Sequence, residues 1–380
     1  MAGGSNSVRL TTHFEKMTDP RVARTRLHLL SDIITIAILA TICGADYWEE
    51  LPRFAKAKSK WLMKYLKLPN GIPSADTFQR VFQRLNPDEF MKCMQGWVSQ
   101  FRDLCSEPLV GIDGQTLRGS GFAGCKPLHL VRAWASENNL VLGQVACDEK
   151  SNEITAIPKL LQLIEIHGAI VTIDAMGCQT EIVESIRDRG ADYVLPVKGN
   201  QPKLEVAIDA AFEKALDDAL NGDRPQFRHL RTCETQSGRE EERDYYIMSV
   251  PKGLPRAERW KGLKTIGMVI RRQVVNGIES VHVQYYISSL SANVKRFARA
   301  VRGHWSIENK LHWMLDVTFA QDASTTRKGH APEIASMLRQ LALMTLQHHP
   351  QLEGSLRSKR KIAGWDNEVL ETILSYFLEE

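Results

Sequence analysis

The chain has 380 residues and an ordinary globular composition, with 43% hydrophobic and 25% charged residues. Its formal net charge of only +4 excludes a strongly basic protein, so any contact with nucleic acid must depend on local clusters of positive charge. A chain of this length is expected to fold as two or three domains.

The seven cysteines are scattered and none has CxxC spacing, which argues against a zinc finger or a disulfide framework. This cysteine usage fits a reducing cytosol. The first 16 residues lack the shape of a signal peptide. The apolar stretch 33–43 is only about half as long as the roughly 20 residues that a membrane span needs. We therefore expect a cytoplasmic protein without a membrane contact.

Residues 1–106 are predicted to be helical, because their apolar residues follow helical spacing. The expected helices cover 26–40 and 61–68, then begin near Ser74 and Asn86, the last running to about residue 104. Ser74 has the residue type and position of a helix N-cap. Lysines and arginines gather between residues 53 and 67, which fits either a solvated helix face or contact with a phosphate backbone.

From residue 109 the pattern changes to short apolar strands alternating with helices. Strands are predicted at 109–113, 129–135, 140–147, 170–174 and 193–197, and helices at 154–166, 180–189 and about 203–220. This order predicts a mixed sheet with helices on its faces. Further strand-like runs reach residue 288, with Asn276-Gly277 as a strong hairpin turn, and we interpret them as a β-rich insertion.

Three acidic residues occupy positions that suit one reaction. Asp113 and Asp174 each end an apolar strand, and Glu308 lies in a helix-like stretch at 303–310. Carboxylates at neighbouring strand ends and on a helix favour a pocket for two divalent metals, which is the arrangement that cuts and rejoins phosphodiesters. Structural aspartates at strand ends are also common, and four other acids compete for these roles: Asp148, Glu149, Asp316 and Asp322.

Basic and aromatic residues gather around these acids. His304 and His312 lie four residues before and after Glu308, and they fit a metal ligand, a phosphate contact or a core histidine. Trp305 fits a core position or a platform for an extruded base. The predicted contacts with DNA are Arg118, Lys198, Asn200, Lys295, Arg296, Arg299, Arg302, His304, Trp305, Lys310 and His312.

The segments that carry a resemblance to a known family include Gly-Ile-Asp-Gly-Gln-Thr at 111–116, Asp-Glu-Lys-Ser-Asn-Glu at 148–153, Thr-Ile-Asp-Ala at 172–175 and His-Trp-Ser-Ile-Glu-Asn at 304–309. Shorter segments at 18–21, 70–74 and 197–201 add to it. On these motifs the chain resembles the ISAs1-type insertion-sequence transposases, the H-repeat-associated proteins within the IS4-like DDE group. The resemblance spans nearly the whole chain.

The resemblance implies an α/β fold, with an RNase-H-like catalytic core, a β-rich insertion and an N-terminal helical domain. The implied domains are 1–106 (helical, DNA binding or association), 107–200 (first part of the core), 201–292 (insertion), 293–350 (second part of the core) and 351–380 (helical tail). Asp113, Asp174 and Glu308 become the catalytic, metal-binding acids for Mg²⁺, for which Mn²⁺ can substitute.

The implied partners are double-stranded DNA, as the element's terminal repeats and target, and a second copy of the chain in a homodimer. The implied location is the bacterial cytoplasm, in association with the nucleoid. The wider group carries Tyr, Arg and Lys around the glutamate, whereas this chain has Val301, His304 and Leu315. The phosphate contacts are therefore expected on His304, Lys310 or Arg302.

Three alternatives remain open from the residues. An RNase-H-like nuclease would cut DNA without joining it. A non-catalytic DNA-binding regulator would bind the terminal repeats without cutting them. A metabolic α/β enzyme would need a small-molecule motif, and the sequence contains neither GxGxxG nor a P-loop.

Overall fold

Helices dominate the chain before residue 109, as the sequence predicts. The computed structural model describes residues 13–99, 107–122, 124–147, 152–236, 239–275, 277–349 and 352–376. The first helices are α1 (Leu30–Ile42), α2 (Glu50–Ala57), α3 (Ser59–Leu62), α4 (Ala75–Phe82) and α5 (Pro87–Val98). Ser74 caps α4 by accepting a hydrogen bond from the Thr77 backbone N–H, which confirms its predicted role. Helix α1 begins later than predicted, at Leu30, and the Arg26 side chain donates to the carbonyls of Arg21 and Asp19 before it.

The described residues contain one mixed sheet of nine strands in the order β3-β2-β1-β4-β5-β9-β8-β7-β6. The strands are β1 (Leu109–Thr116), β2 (His129–Ala135), β3 (Leu140–Ala146), β4 (Ile170–Ile173), β5 (Asp192–Val197), β6 (Phe227–Gln236), β7 (Arg239–Ser249), β8 (Thr265–Val275) and β9 (Ile278–Ser288). Strand β4 is parallel to both β1 and β5, whereas the other pairings are antiparallel. The predicted mixed α/β architecture is therefore confirmed.

The β-rich segment continues this sheet instead of forming a separate one. Strand β9 pairs with β5, placing Val194 opposite Ser288, and β8, β7 and β6 follow outward. Strand β6 and the first half of β7 were not predicted, because charged residues interrupt any apolar alternation there. Their charges pair across the strands: Asp244 of β7 accepts hydrogen bonds from Arg231 of β6 and Arg272 of β8.

The later helices are α6 (Glu153–Leu163), α7 (Thr180–Asp188), α8 (Pro202–Leu220), α9 (Val294–Ser306), α10 (Trp313–Val317), α11 (Ala331–His348), α12 (Leu356–Trp365) and α13 (Asn367–Tyr376). A π-helical segment, Ile307–His312, joins α9 to α10. The stretch predicted at 303–310 is thus part of a longer helical run with one widened turn. No helix in the described ranges is long and apolar enough to cross a membrane.

The core joins the N-terminal helices to the sheet. Helix α11 is buried along most of its length and packs against α1. A smaller apolar cluster centred on Phe297 fills the space between α9 and the strands β7 and β8. Helix α9 also contacts β1, β4 and β5. Its last turn lies against the first half of β1, where His304 comes close to Gly111.

Candidate active site

Asp113 lies on β1 beside the parallel strand β4. Pairing between these strands ends at Ile112 and Ile173, so the next residues on each strand are Asp113 and Asp174. The prediction that Asp113 ends its strand was wrong, because β1 stays paired with the antiparallel β2 as far as Thr116. The pairing with β4, however, ends where predicted. The sheet therefore brings the two aspartates to one edge.

The environment of Asp113 disfavours its negative charge. Burial, together with the charges of Glu153, Glu308 and Asp174, raises the pKa of Asp113 to about 7. A hydrogen bond from the Gly114 backbone opposes this shift. Three further carboxylates thus act electrostatically on one buried carboxyl, as expected where acids converge on a functional site.

Asp174 turns the chain directly after β4. Its side chain accepts a hydrogen bond from the Gly177 backbone at 3.0 Å, which caps the short 3₁₀ turn Ala175–Gly177. Burial and the Glu153 charge raise the pKa of Asp174, whereas the cation of Lys198 opposes that rise. Backbone N–H groups of Gly177 and Met176 both bond this carboxylate, which fixes its orientation.

Glu308 sits in the π-helical segment, and burial raises its pKa. With Asp174, His304 and Trp305 it lines an open cleft of about 480 Å³ between α9 and strands β4, β5 and β7–β9. The close approach of α9 to β1 depends on Gly303, because a Cβ there would lie 2.0 Å from a Leu109 methyl carbon. The structure therefore places Asp174 and Glu308 on one cleft, near Asp113.

Carboxylate oxygens are the ligands that Mg²⁺ and Mn²⁺ prefer. A bound cation also relieves the repulsion between clustered carboxylates. Two buried polar atoms at this place, His312 Nε2 and Asp316 Oδ1, have no hydrogen-bond partner. No three His, Cys, Asp or Glu side chains of the described residues converge tightly enough to hold a metal ion as they stand. The donor chemistry and charge therefore suit a divalent metal, whereas coordination requires side-chain rearrangement.

The two predicted histidines make different contacts: His312 is buried, and His304 is partly buried. His304 Nδ1 lies 3.1 Å from the Thr172 hydroxyl, and burial lowers the pKa of His304 to about 4. His312 Nδ1 lies 3.4 Å from Asp113 Oδ2, and burial lowers the pKa of His312 to about 3. Both rings are therefore neutral near pH 7, and neither offers a positive charge to a phosphate.

A buried polar network lies under Asp113 and was not foreseen from the sequence. Arg132, opposite Asp113 on β2, is fully buried and donates to Gln115, Gln144 and Ser336. Gln115 in turn donates to Asp316 at 2.7 Å. These residues come from three strands and two helices, so no local sequence pattern joins them. The network fixes the strand that carries Asp113.

Glu153 is a further acid whose role the sequence did not assign, although it lies in one of the motifs. Its carboxylate accepts a hydrogen bond of 2.7 Å from His129 Nε2 and lies against the backbone of Gly114. It is the acid with the largest electrostatic effect on Asp113. Its motif position, in the first turn of a helix after a hairpin, was the only signal in the sequence.

The predicted basic stripe on α9 is largely paired with acids. Arg296 and Arg299 both contact Glu107, Arg299 also contacts Glu137, and Arg302 contacts Glu234. Lys295 is exposed and has no ion pair with any described acid. Most of the stripe's charge is therefore already balanced within the chain.

The remaining predicted DNA contacts lie around the acids in different settings. Lys198 is exposed at the cleft, and Asn200 beside it donates to the Ala175 carbonyl at 2.7 Å. Lys310 is exposed on the π-helical segment, and Trp305 is half exposed in the cleft. Arg118 is mostly exposed and lies 3.7 Å from Asp322.

A second, more polar opening adjoins the cleft at Glu308 and Trp305. Besides Glu308, its charged lining residues are Arg243, Arg271, Arg302, Glu234 and Glu241. Arg243 and Arg271 contact Glu241, and Arg302 contacts Glu234. Arginines of β7 and β8 thus lie around the same opening as Glu308. The sequence had indicated only the basic residues of α9.

Comparison with known proteins assigns the chain to a family. Residues 105–345 match the model of the transposase DDE domain, and residues 11–98 match the model of the region associated with it. YncI of Escherichia coli O157:H7 carries a provisional name as a transposase. It is 39% identical to this chain, over 92% of this chain and 90% of YncI.

Two further relatives come from Escherichia coli K12. The H repeat-associated protein YhhI, also provisionally named a transposase, is 36% identical over 97% of this chain and 98% of its own. YbfQ, named an inactive transposase, is 38% identical over 19% of this chain and 87% of its own. The chain therefore belongs to the IS4-like DDE transposase family, with the H repeat-associated proteins among its relatives.

Proposed function

We propose that the protein is an active DDE transposase, which binds the terminal inverted repeats of its insertion sequence, cleaves the DNA there and catalyses strand transfer. The observation that carries this proposal is the placement of Asp113, Asp174 and Glu308. Two of these acids follow the last paired residues of neighbouring parallel strands, and the third, Glu308, lines from a helical segment the cleft that Asp174 also lines. Membership of the family supports the assignment.

The order of the first five strands supports an RNase-H-like core. It reads β3-β2-β1-β4-β5, with β2 antiparallel to β1 and with β4 and β5 parallel to it. The resemblance implies that the first acid lies on the first strand and the second acid on the fourth. Asp113 on β1 and Asp174 after β4 occupy those positions.

We assign Asp113, Asp174 and Glu308 as the residues that would hold Mg²⁺, or Mn²⁺ in its place. When bound, such ions supply an activated oxygen nucleophile and stabilise the leaving oxygen of a phosphodiester. The Asp174 cap keeps its carboxylate oriented toward the cleft edge. The Arg132 network holds β1 in place, so Asp113 is presented from a rigid strand.

The DNA backbone would reach the acids across three exposed lysines, which lie at the cleft (Lys198), on the π-helical segment (Lys310) and in the first turn of α9 (Lys295). Lys198, Lys295 and Lys310 are exposed, and no acid among the described residues forms an ion pair with them. Their charge is therefore available to phosphates at no cost in broken ion pairs. Trp305, half exposed in the cleft, offers a face on which a base can stack.

Strand transfer joins two transposon ends to one target, so the active form would hold two copies of the active site. We therefore propose a homodimer assembled on two terminal repeats. Sizing of the protein with and without repeat DNA, by light scattering, tests this assembly. Two protein chains and two DNA ends per particle are expected, and a stable particle of one chain and one end would contradict the dimer.

The function is tested by a cleavage and strand-transfer assay with the element's own end DNA and Mg²⁺ or Mn²⁺. Wild type is compared with Asp174→Ala, and a scrambled end serves as the DNA control. Metal-dependent joined products that disappear in the variant are expected, with end binding retained. Cut but unjoined ends would indicate a nuclease. Binding without cleavage by wild type would indicate a silent regulator; one relative, YbfQ, is named an inactive transposase.

A further inference from the structure

On the basis of the proposed function, we infer that Glu153 is a fourth acid of the active site, which contributes its carboxylate to divalent-metal binding and is oriented by His129. No residue beyond Asp113, Asp174 and Glu308 is assigned to this role by the motifs. Glu153 deepens the proposed site, because it adds a metal-binding group from the opposite face of the sheet.

The position of Glu153 is fixed by close packing against β1. Glu153 lies in the first turn of α6, and a Cβ added at Gly114 would come within 2.1 Å of its Oε1. The same Cβ would lie 2.5 Å from His129 Nε2. Only glycine at 114 therefore allows the carboxylate to reach the backbone next to Asp113. Side chains thus approach Asp113 and Gly114 of β1 from both faces of the sheet.

A hydrogen-bonded chain orients the carboxylate. The Thr116 hydroxyl lies 2.8 Å from His129 Nδ1, and His129 Nε2 lies 2.7 Å from Glu153 Oε1. The simplest consistent arrangement has the hydroxyl donating to Nδ1 and Nε2–H donating to the carboxylate. One oxygen of Glu153 is then occupied and its orientation fixed, while the second remains available to a ligand.

Glu153 carries its charge close to two aspartates. Its Oε1 lies against the backbone of Gly114, the residue after Asp113, and its charge also acts on Asp174. If His129 and Glu153 served only to join β2 to α6, the repulsion between Glu153 and two nearby acids would destabilise the fold without any benefit. Repulsion of this kind is retained where a bound cation offsets it.

A second observation on the other side of Asp113 points to a ligand at the same place. His312 is 8% exposed, its Nδ1 faces Asp113, and its Nε2 has no hydrogen-bond partner. A buried ring nitrogen without a partner is costly unless a further group binds there. Asp113 thus lies between Glu153 on one side and an incompletely satisfied histidine on the other.

The test is Mn²⁺ binding to the full-length protein without DNA, followed by electron paramagnetic resonance of the free ion. Glu153→Gln removes the charge but still accepts the bond from His129. Glu181→Gln, an exposed glutamate in the first turn of the neighbouring helix α7, is the matched control. We expect Glu153→Gln to weaken Mn²⁺ binding about tenfold or more, as for changes around other metal sites, and Glu181→Gln to leave it unchanged.

The thermal unfolding temperature, measured with and without Mn²⁺, provides a second readout. A ligand that binds only the folded state raises this temperature, so the rise should shrink in Glu153→Gln. A purely structural Glu153 would lower the temperature equally under both conditions and leave Mn²⁺ affinity at the wild-type value, which would overturn the inference.

Asp174→Asn distinguishes an error in the role of Glu153 from an error in the proposed metal chemistry. If Asp174→Asn loses Mn²⁺ binding while Glu153→Gln keeps wild-type affinity, the role of Glu153 is wrong and the proposed transposase stands. If wild type itself binds no Mn²⁺, both the role of Glu153 and the proposed metal chemistry are contradicted. Thr116→Val, which releases His129, should give a smaller loss than Glu153→Gln.

Discussion

His312 Nδ1 lies 3.4 Å from Asp113 Oδ2, and the two groups do not form an ion pair at neutral pH. Burial lowers the pKa of His312 to about 3 and, aided by neighbouring acids, raises that of Asp113 to about 7. The ring therefore serves Asp113 as a neutral neighbour that limits its orientation and excludes water. The π-helical segment carries both Glu308 and His312, so one widened turn places a carboxylate and this ring at the same site.

Replacement of His312 tests this role. We expect His312→Phe, which keeps the ring volume but removes both nitrogens, to slow DNA cleavage about 10- to 100-fold, the usual effect of losing a group that orients a metal ligand. His312→Asn keeps a polar nitrogen near Nδ1 and should retain more activity. Single-turnover cleavage rates at saturating DNA measure the difference. Equal rates for both variants and wild type would show that the contact is irrelevant to Asp113.

The raised pKa of Asp113 predicts that the protein loses stability as pH rises. In the unfolded chain this carboxyl titrates near its ordinary value of about 3.9, whereas in the folded protein its pKa is about 7. Between these values the folded state holds a proton that the unfolded state has lost, so stability decreases with increasing pH. Asp113→Asn cannot ionise, and its unfolding temperature should therefore exceed that of wild type more at about pH 8 than at about pH 5.

Thermal unfolding at both pH values in the presence of a chelator measures this effect. Asp217→Asn, a change at an exposed helix position, is the control and should follow wild type at each pH. Added Mn²⁺ should reverse the order of stability at the higher pH, because it stabilises only the protein that retains Asp113. A constant difference between Asp113→Asn and wild type across pH would contradict the raised pKa.

The pairing of the arginines on α9 changes which cations are expected to bind DNA most strongly. Replacing Lys198, Lys295 and Lys310 with glutamine should weaken binding to every sequence and reduce the slope of log K against log salt by roughly 0.9 for each phosphate that the protein no longer neutralises. The contacts predicted for Arg296, Arg299 and Arg302 require their bonds to Glu107, Glu137 and Glu234 to open. Their removal should therefore cost less affinity than removal of the lysines.

Fluorescence anisotropy with repeat and scrambled duplexes, over a range of salt concentrations, measures these slopes. The matched control replaces three exposed lysines elsewhere in the fold, Lys203, Lys214 and Lys252, with glutamine. An unchanged slope in the first triple variant, or an equal change in both, would show that Lys198, Lys295 and Lys310 do not contact the DNA phosphates.

The main elements of the site could be predicted from short stretches of sequence, because local rules determine them. The apolar runs before Asp113 and Asp174 predicted neighbouring strands, and the register of β1 with β4 confirms that pairing. The cap at Ser74 followed from residue type and position. The helical setting of Glu308 was predicted, but its π-helical turn was not, since no residue type marks such a turn.

Contacts between distant segments could not be predicted. The network around Arg132 joins Gln115 to Ser336, which are more than two hundred residues apart in the chain. On α9, Arg296 pairs with Glu107, and Arg299 pairs with the hairpin residue Glu137. Such pairs depend on how the sheet and helices are stacked, so a basic stripe in the sequence does not show how much of its charge is free.

Close packing of α9 on β1 provides the last prediction, because a Cβ at Gly303 would lie 2.0 Å from Leu109 Cδ2. Gly303→Ala is a favourable change for an exposed helix, yet here it should push the helix that carries Glu308 away from the aspartates. Cleavage should therefore fall sharply while the protein stays folded.

In Gly303→Ala with Leu109→Val, the shortened side chain makes room, and cleavage should recover relative to Gly303→Ala alone. A double-mutant cycle of cleavage rates, with circular dichroism for folding, measures this coupling. Additive effects of the two changes would show that the contact does not set the position of Glu308.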